Sequence, residues 1–255
     1  MTSAKTCALV TGASAGIGAE FCRQLADRCD IIIIVGRRQE LLEDLAGSLG
    51  SQADVHPLVA DLTSIEGQTR VIEALRQKGP VDYLINNAGF STLGNFAELE
   101  LAPQQEMVDL HITASLALCR AAIPFMREKG SGFIVNVSSL VSFSPLASVA
   151  VYGASKAFLN HYSEALQLEL KDQGIKVQSL CPGYTRTDFH GRDSMQGFDT
   201  EWVPEEQWME ASQVVAESLA ALTRDQVVVV PGASNRKLAN AGMRAQMGRL
   251  PETDD

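Results

Sequence analysis

The alternation of short apolar segments with longer segments of helical period limits the possible folds of this sequence more than any other feature. The short segments are apolar at nearly every position, which is typical of parallel strands that are covered on both faces. Seven such strands are predicted, at residues 8–10, 31–35, 55–60, 81–86, 133–137, 177–181 and 227–230. Right-handed crossovers between them give an α/β fold of three layers, a doubly wound (Rossmann-type) parallel seven-stranded sheet with helices on both faces.

Two of the intervening helices carry specific signals. Ile17, Phe21 and Leu25 form one apolar stripe on a helix predicted at 17–27. A Thr63-x-x-Glu66 capping box predicts the start of another helix at 64–78. No linker or repeat interrupts the 255 residues, so a single domain is expected. Ligands of such sheets bind beyond the carboxyl ends of the strands, and the residues that follow each strand are therefore the candidate site.

Composition excludes several classes of protein. The net charge of −10 disfavours nucleic acid and anionic membranes as partners, because both bind clustered positive charge. No apolar run approaches the roughly 18–20 residues of a membrane span, and the first residues lack the pattern of a signal peptide, so a soluble, cytoplasmic protein is expected. The five cysteines are scattered and never form a Cys-x-x-Cys pair. This pattern predicts small buried side chains, with no disulfide framework and no metal site.

A glycine-rich turn follows the first predicted strand and leads directly into a helix, as Thr11-Gly12-Ala13-Ser14-Ala15-Gly16-Ile17-Gly18. Gly12 permits a tight turn, and the missing side chains at Gly16 and Gly18 let a ligand and the helix approach the backbone closely. Because the N-terminus of a helix offers free N–H groups and partial positive charge, the turn predicts a pyrophosphate site. The alternative is a turn with a purely structural role.

A tyrosine and a lysine lie four residues apart in Val151-Tyr152-Gly153-Ala154-Ser155-Lys156. On a helix this spacing places the phenol of Tyr152 beside the ammonium of Lys156. A nearby cation favours the phenolate, so the pair predicts a lowered tyrosine pKa that suits a general acid or base. The alternative is a solvated pair on the surface.

The three motifs Thr11 to Gly18, Asn86-Asn87-Ala88-Gly89 and Tyr152-x-x-x-Lys156 occur in an order that resembles the short-chain dehydrogenase/reductase family, in its compact single-domain branch. The resemblance covers nearly the whole chain. It implies that residues 1–255 form one dinucleotide-binding and catalytic domain with a substrate lid at about 188–212. The implied cofactor-binding residues are Gly12, Ser14, Gly16, Ile17, Gly18, Arg37, Arg38, Asp61, Leu62, Asn87, Ala88, Gly89, Tyr152, Lys156, Pro182, Gly183, Thr185 and Thr187.

The choice of cofactor is indicated by the end of the second strand, where the family often has a carboxylate that favours NAD. This chain has Gly36 there, followed by Arg37 and Arg38. Removal of the acid and addition of two guanidinium groups predict NADP(H), whose 2′-phosphate they would bind, with a further hydroxyl from Ser14. The alternative is a pair of solvated arginines at a helix start.

The resemblance also implies a reaction, hydride transfer between the nicotinamide and a small-molecule carbonyl or alcohol substrate. Tyr152 would exchange a proton with the substrate oxygen, and Ser139, thirteen residues earlier, would hold that oxygen. Lys156 would lower the tyrosine pKa and bind the nicotinamide ribose. Ser138 is expected to point away from the substrate, because side chains alternate along a strand.

His111 takes the place of an asparagine that the family has forty-one residues before the tyrosine. The family uses the backbone carbonyl there to hold a water of a proton relay. His111 could keep that role, and its imidazole could itself carry protons near neutral pH. The competing interpretation is an impaired relay and a catalytically impaired NADP-binding sensor or scaffold protein.

The pocket and the oligomer are the last expectations. Aromatic and other apolar residues of the lid and its surroundings predict an apolar pocket for a hydrophobic aldehyde or ketone, the alternative being that the aromatic ones only attach the lid to the core. They are Phe90, Leu93, Leu140, Phe143, Tyr184, Phe189, Phe198, Trp202 and Trp208. A homodimer or homotetramer is expected through the helices at 107–126 and 149–170, which carry more apolar residues than one buried face requires.

Overall fold

The computed structural model describes residues 5–191, 193–224 and 226–248. The strands are β1 Cys7–Thr11, β2 Ile31–Gly36, β3 Asp54–Val59, β4 Tyr83–Asn86, β5 Gly132–Val137, β6 Ile175–Leu180, β7 Thr185–Arg186, β8 Met209–Glu210 and β9 Val228–Val229. Seven of them form the parallel main sheet that was predicted, in the order β3-β2-β1-β4-β5-β6-β9, and β7 pairs with β8 in a small separate sheet. The predicted bounds differ from these by one or two residues at most ends.

Helices cover both faces of the sheet. They are α1 Gly16–Ala26, α2 Gln39–Leu49, α3 Ile65–Lys78, α4 Leu101–Val108, α5 Ala114–Lys129, α6 Ala150–Leu170, α7 Ala211–Ala221 and α8 Ala233–Met247. A π-helical turn, Asp109–Thr113, joins α4 to α5 without a break. A 3₁₀-helix, Leu140–Phe143, follows β5.

Two hydrophobic clusters explain why the strands are apolar at successive positions. Ala8 and Val10 of β1 pack in a cluster with α1, α2 and α7 on one face, whereas Cys7 and Leu9 pack with α3, α5 and α6 on the other. The central strands therefore bury both sets of alternating side chains, as parallel strands do. All five cysteines are buried and unpaired, as expected.

The strand order places a switch point between β1 and β4. The chain leaves β1 toward β2 and β3 on one side, then returns to β4 on the other side. Thr11, Asn86 and Val137 end β1, β4 and β5, and all three strands point the same way. The segments that follow these strands therefore meet at one edge of the sheet, the edge where ligands of doubly wound folds bind.

The predicted capping box at the start of α3 does not form. Ser64 is the N-cap, and its Oγ accepts a hydrogen bond from the Gly67 N–H at 3.0 Å. The Thr63 hydroxyl instead donates to Asp61 Oδ1 at 2.9 Å, and the Thr63 N–H donates to the same oxygen at 3.0 Å. The carboxylate of Asp61 thus engages Thr63 in a local turn, which leaves the next residue to cap the helix.

One helix is longer and more apolar than the sequence pattern led us to expect. The continuous helical segment Leu101–Lys129 has a mean hydropathy of 1.3 in its most apolar window, which by length and composition alone would suffice to cross a membrane. Leu118, Ala122 and Met126 on one side of α5 are buried in the core cluster that also contains α3 and α6. This packing is that of a core helix, and such a helix is weak evidence for a membrane span.

Candidate active site

The glycine-rich turn lies between β1 and α1 and packs closely against neighbouring residues only because side chains are missing. Gly12 and Gly16 have positive φ angles of 65° and 56°. A Cβ on Gly12 would lie 2.8 Å from the Cα of Ala88, and a Cβ on Gly18 would lie 2.3 Å from the carbonyl oxygen of Gly12. No side chain caps α1, since its N-cap residue is Ala15. The turn and the uncapped helix N-terminus therefore fit the pyrophosphate of a dinucleotide.

Asn87 holds this turn against the end of β4. Its Nδ2 donates hydrogen bonds to the carbonyl oxygens of Thr11 at 2.8 Å and Gly12 at 3.2 Å. In return, Thr11 Oγ1 accepts from the N–H groups of Asn87 at 2.9 Å and Ala88 at 3.0 Å. The side chain of Asn87 therefore fixes the two strand ends relative to each other, while its residue also borders the cavity described below.

Ser14, Arg37 and Arg38 lie together where β2 ends. Arg38 Nε and Nη2 donate to Ser14 Oγ at 3.2 and 3.0 Å, and a Cβ on Gly36 would lie 3.5 Å from that oxygen. Arg37 Nη1 is 3.9 Å from Asp61 Oδ2. A hydroxyl and two exposed guanidinium groups with no carboxylate at the strand end form a set of donors that fits a phosphate.

The three predicted catalytic residues Ser139, Tyr152 and Lys156 lie together beyond β5. The Ser139 side chain lies close enough to Tyr152 to favour its phenolate. Lys156 Nζ donates to the Val137 carbonyl at 2.8 Å and lies 5.6 Å from the centroid of the Tyr152 ring. Ser138 is buried beside the cavity, and its hydroxyl donates to the Lys156 carbonyl at 2.7 Å, so this hydroxyl is engaged with α6.

The pKa shifts of the tyrosine and the lysine correct one prediction from the sequence. Burial raises the pKa of Tyr152 above its usual value, and the neighbouring Ser139 side chain offsets this only in part. Burial also lowers the pKa of Lys156 to about 7. The prediction that Lys156 lowers the pKa of Tyr152 is therefore wrong for this arrangement, because the cost of desolvating either charged form outweighs their attraction. At neutral pH the phenol is protonated and the lysine only partly charged.

His111 lies in the π-helical turn and is buried. Its Nε2 accepts a hydrogen bond from the Phe90 N–H at 3.2 Å, and its Nδ1 is 2.8 Å from Ser155 Oγ. The Ser155 hydroxyl donates to the Tyr152 carbonyl at 2.8 Å, so Nδ1 must be the donor to Ser155. These contacts fix the neutral tautomer with hydrogen on Nδ1.

The same surroundings argue against a charged imidazole at His111. Burial, and next the charge of Lys156, hold the pKa of His111 well below its usual range. The expectation that this imidazole carries protons near neutral pH is therefore wrong. The side chain instead connects the backbone after Gly89 with the helical turn that carries Tyr152, while the backbone role expected for His111 stays a prediction.

A cavity of about 940 Å³ runs from the arginines to the 188–212 segment. All predicted catalytic and cofactor-binding residues border it except Gly18, which packs behind the turn, and His111, which packs behind Tyr152. Six of the nine residues expected to form an apolar wall border this cavity. They are Phe90, Leu93, Leu140, Tyr184, Phe189 and Phe198.

Three of the aromatic residues expected in the wall are not among those that border the cavity. Phe143 is buried in a small cluster with Cys181 and Ala239, behind the wall of the cavity. The side chain of Trp202 is largely exposed. Trp208 stacks near Tyr184, with ring centroids 5.5 Å apart, and its indole N–H donates to the Val203 carbonyl at 3.3 Å. For Trp208 the alternative holds, since its contacts attach the segment to itself and to the core.

The sequence did not indicate several apolar residues that complete the wall. They include Val141, Leu146, Met195 and Leu238. Leu238 belongs to α8, whose Gln246 Nε2 donates to the Phe143 carbonyl at 2.6 Å and so attaches the helix beside the cavity. Nothing in the helical period of α8 indicates which distant segment it contacts.

Comparison with known proteins agrees with this arrangement. Residues 6–196 match the family model described as short chain dehydrogenase. Sulfoacetaldehyde reductase 2 of Chromohalobacter salexigens is 34% identical over 184 residues, which are 71% of this chain and 73% of that protein.

Two solved structures resemble the whole chain. A short-chain dehydrogenase from Sphingobium yanoikuyae in complex with NADPH is 32% identical, with a TM-score of 0.83 and coverage of 98% of both chains. A bulky-bulky ketone specific alcohol dehydrogenase from Comamonas testosteroni is 29% identical, with a TM-score of 0.79 and coverage of 98% of this chain and 96% of the other. The matched segment contains the glycine-rich turn, the serine, the tyrosine and the lysine, and the chain therefore belongs to the short-chain dehydrogenase/reductase family of oxidoreductases.

Proposed function

We propose that this protein is an NADP(H)-dependent oxidoreductase that transfers hydride between the nicotinamide and an aldehyde or ketone, or the corresponding alcohol. One observation carries the proposal. Ser139 and Tyr152 border the same cavity as the glycine-rich turn. Residues 1–255 would form a single dinucleotide-binding and catalytic domain, with the segment at about 188–212 as its substrate lid.

The bound cofactor would supply the hydride in reduction, and the protein would manage the oxygen and its proton. Tyr152 donates its phenolic proton to the carbonyl oxygen as that oxygen becomes an alkoxide, and its raised pKa keeps the proton available at neutral pH. Ser139 donates a hydrogen bond to the same oxygen, which can contribute about 3 kcal/mol in the transition state. Lys156 lies behind the tyrosine and would bind the ribose.

The preference for NADP(H) over NAD(H) rests on the charges at the end of β2. Arg37 and Arg38 are exposed there, and Arg38 shares the Ser14 hydroxyl. These groups would bind a 2′-phosphate, and the last position of β2 holds Gly36 in place of an acid that would repel this phosphate. The related dehydrogenase in complex with NADPH supports this assignment.

The substrate would be a hydrophobic carbonyl compound. Phe90, Leu140 and Phe189 from three separate segments line the cavity around Tyr152, and Leu238 of α8 closes it. An apolar wall beside Ser139 and Tyr152 suits a bulky apolar group on each side of the carbonyl. The related alcohol dehydrogenase specific for bulky-bulky ketones is consistent with such a substrate.

A catalytically impaired NADP-binding sensor or scaffold remains the second candidate function. It is favoured by the neutral His111, whose two ring nitrogens are both engaged and cannot carry protons at neutral pH. Turnover would then depend on the backbone of the π-helical turn alone. The two functions make opposite predictions for a substrate panel.

The test combines both cofactors with a panel of aldehydes and ketones from small polar to bulky aromatic compounds, followed by nicotinamide absorbance. The reductase predicts turnover with NADPH that exceeds turnover with NADH and rises with the apolar size of the substrate. Tyr152→Phe serves as the control, because it removes one hydroxyl. Cofactor binding without turnover, identical in the wild type and Tyr152→Phe, would support the sensor.

The proposal includes a homodimer or homotetramer in the cytoplasm. Phe96, Val108, Ile112, Val151 and Phe158 line an apolar groove at the surface between the α4–α5 segment and α6, the helices expected at the interface. Burial of such a groove against a second copy would remove apolar area from water. Light scattering at micromolar concentration tests it, and a monomer would contradict it.

A further inference from the structure

An ion pair joins the proposed phosphate site to the lid. Arg38 Nη1 lies 3.1 Å from Asp188 Oδ2, and the two residues are 150 positions apart in the sequence. The same guanidinium uses Nε and Nη2 to contact Ser14 Oγ. A carboxylate of the lid is therefore bound to the arginine that we assign to the 2′-phosphate, and all three side chains border the cavity.

The residues on either side of Asp188 contact two other parts of the cavity. Thr187 lies against the glycine-rich turn, where a Cβ on Gly16 would be 2.9 Å from its Cγ2. The Phe189 ring lies beside the Tyr152 ring, with centroids 6.1 Å apart. Three consecutive residues thus touch the pyrophosphate turn, the phosphate arginine and the catalytic tyrosine. The residue that binds Arg38 therefore lies between the residues that contact the two ends of the cavity.

We propose that Asp188 determines cofactor specificity, because its carboxylate competes with the 2′-phosphate of NADP for the Arg38 guanidinium. The proposal rests on the assignment of NADP(H) made above. A phosphate at Ser14 and Arg38 would place a second anion beside Asp188, and two anions that share one cation repel each other. Because binding equilibria are reciprocal, phosphate binding weakens the ion pair to the same extent that the ion pair weakens phosphate binding. NADH has no 2′-phosphate and leaves the ion pair intact.

Asp188 could also have the opposite role, in which it orients Arg38 for the phosphate, and the direction of the change in NADPH affinity distinguishes the two roles. Both side chains are partly exposed, at 46% and 41%, so the effect of Asp188 is that of a surface ion pair. Competition predicts tighter NADPH binding when the carboxylate is neutralised, whereas orientation predicts weaker binding. Salt should reduce the difference, because it screens charges at the surface.

The experiment measures dissociation constants of NADPH and NADH for the full chain by fluorescence titration, at low and high salt and without substrate. Asp188→Asn should tighten NADPH binding about two- to five-fold and leave NADH binding unchanged. Glu206→Gln is the matched control, since it removes the same charge from an exposed position of the same lid and should change neither constant. In an Arg38→Ala background, Asp188→Asn should have no effect on NADPH.

Three results would overturn the proposal: weaker NADPH binding in Asp188→Asn, an equal gain for both cofactors, or the same gain in Glu206→Gln. Failure of the proposed function has a different signature. Equal affinity of the wild type for NADPH and NADH would contradict the NADP(H) assignment, and absence of turnover would contradict the reductase. Neither depends on the change that Asp188→Asn causes in the ratio of the two constants.

Discussion

Replacement of Gly18 by alanine tests whether the fold of the glycine-rich turn depends on close backbone contact. The new Cβ would lie 2.3 Å from the Gly12 carbonyl oxygen and 2.5 Å from Asn87 Nδ2. Neither atom can move freely, because Asn87 Nδ2 is hydrogen-bonded to both Thr11 and Gly12. Overpacking of this kind costs about 1–3 kcal/mol, and each hydrogen bond that is broken adds about 1 kcal/mol. Alanine in a helix returns up to about 1 kcal/mol.

The net expectation for Gly18→Ala is a loss of about 2–3 kcal/mol in the free energy of unfolding, measured by urea denaturation with circular dichroism. The shift of the turn should also weaken NADPH binding at least about ten-fold, since 1.4 kcal/mol changes an equilibrium ten-fold. Gly47→Ala is the matched control. Gly47 is exposed in α2 with no atom within 4 Å of its Cβ position, so the variant should gain about 0.5–1 kcal/mol.

The reasoning is refuted if Gly18→Ala is as stable as the wild type or gains stability like Gly47→Ala. Unchanged stability with lost NADPH binding would show that the turn adapts without strain but no longer fits the phosphates. Unchanged binding with lost stability would show that the cradle is not formed by this contact.

Four further predictions concern the catalytic residues. Ser139→Ala should lower kcat/KM by roughly 10²–10³-fold in steady-state assays, with NADPH affinity unchanged. Burial lowers the Lys156 pKa from 10.5 to about 7, so the charge penalty on folding is complete below pH 7 and declines as the pH rises toward 10.5. The gain in unfolding free energy of Lys156→Met over the wild type should accordingly shrink by roughly 3 kcal/mol between pH 7 and 10; a constant gain contradicts a buried ammonium. His111→Asn should leave the pH–rate profile between pH 6 and 8 unchanged, because the imidazole is already neutral, and a shifted profile would show that it titrates. Oxidation should accelerate as the pH rises above neutral, because it needs the phenolate, whereas reduction should stay level up to about pH 10, since burial keeps Tyr152 protonated; initial rates in both directions measure this, and the same pH dependence in both would contradict it.

The sequence was sufficient for those features that depend on local pattern. Ile32, Ile33 and Ile34 are all apolar because both faces of β2 are covered, and the same holds for the other central strands. Tyr152 and Lys156 meet because α6 spaces them by four residues. Each motif follows a strand end, so their convergence at one edge follows from the parallel order of the sheet.

The sequence was insufficient where contacts join distant segments. Asp188 meets Arg38, and Leu238 reaches the cavity, through packing of the lid and α8 that no local period encodes. The N-cap of α3 differs from the prediction for a related reason, since Thr63 turns toward Asp61 and Ser64 caps the helix instead. Spacing alone cannot decide which of two adjacent hydroxyls accepts from the helix N-terminus.

The directions of the pKa shifts likewise depend on contacts between distant segments, which the sequence pattern does not encode. The spacing of Tyr152 and Lys156 indicates contact, and contact alone would lower the tyrosine pKa. The direction of the shift depends on whether attraction at this distance exceeds the loss of water around the phenolate, and that loss depends on Phe189 and the other residues packed around the pair. His111 obeys the same balance, since two hydrogen bonds and burial keep it neutral where an exposed histidine would titrate. The motif therefore identifies the residues that we propose exchange protons, whereas the fold around them decides the pH at which they would do so.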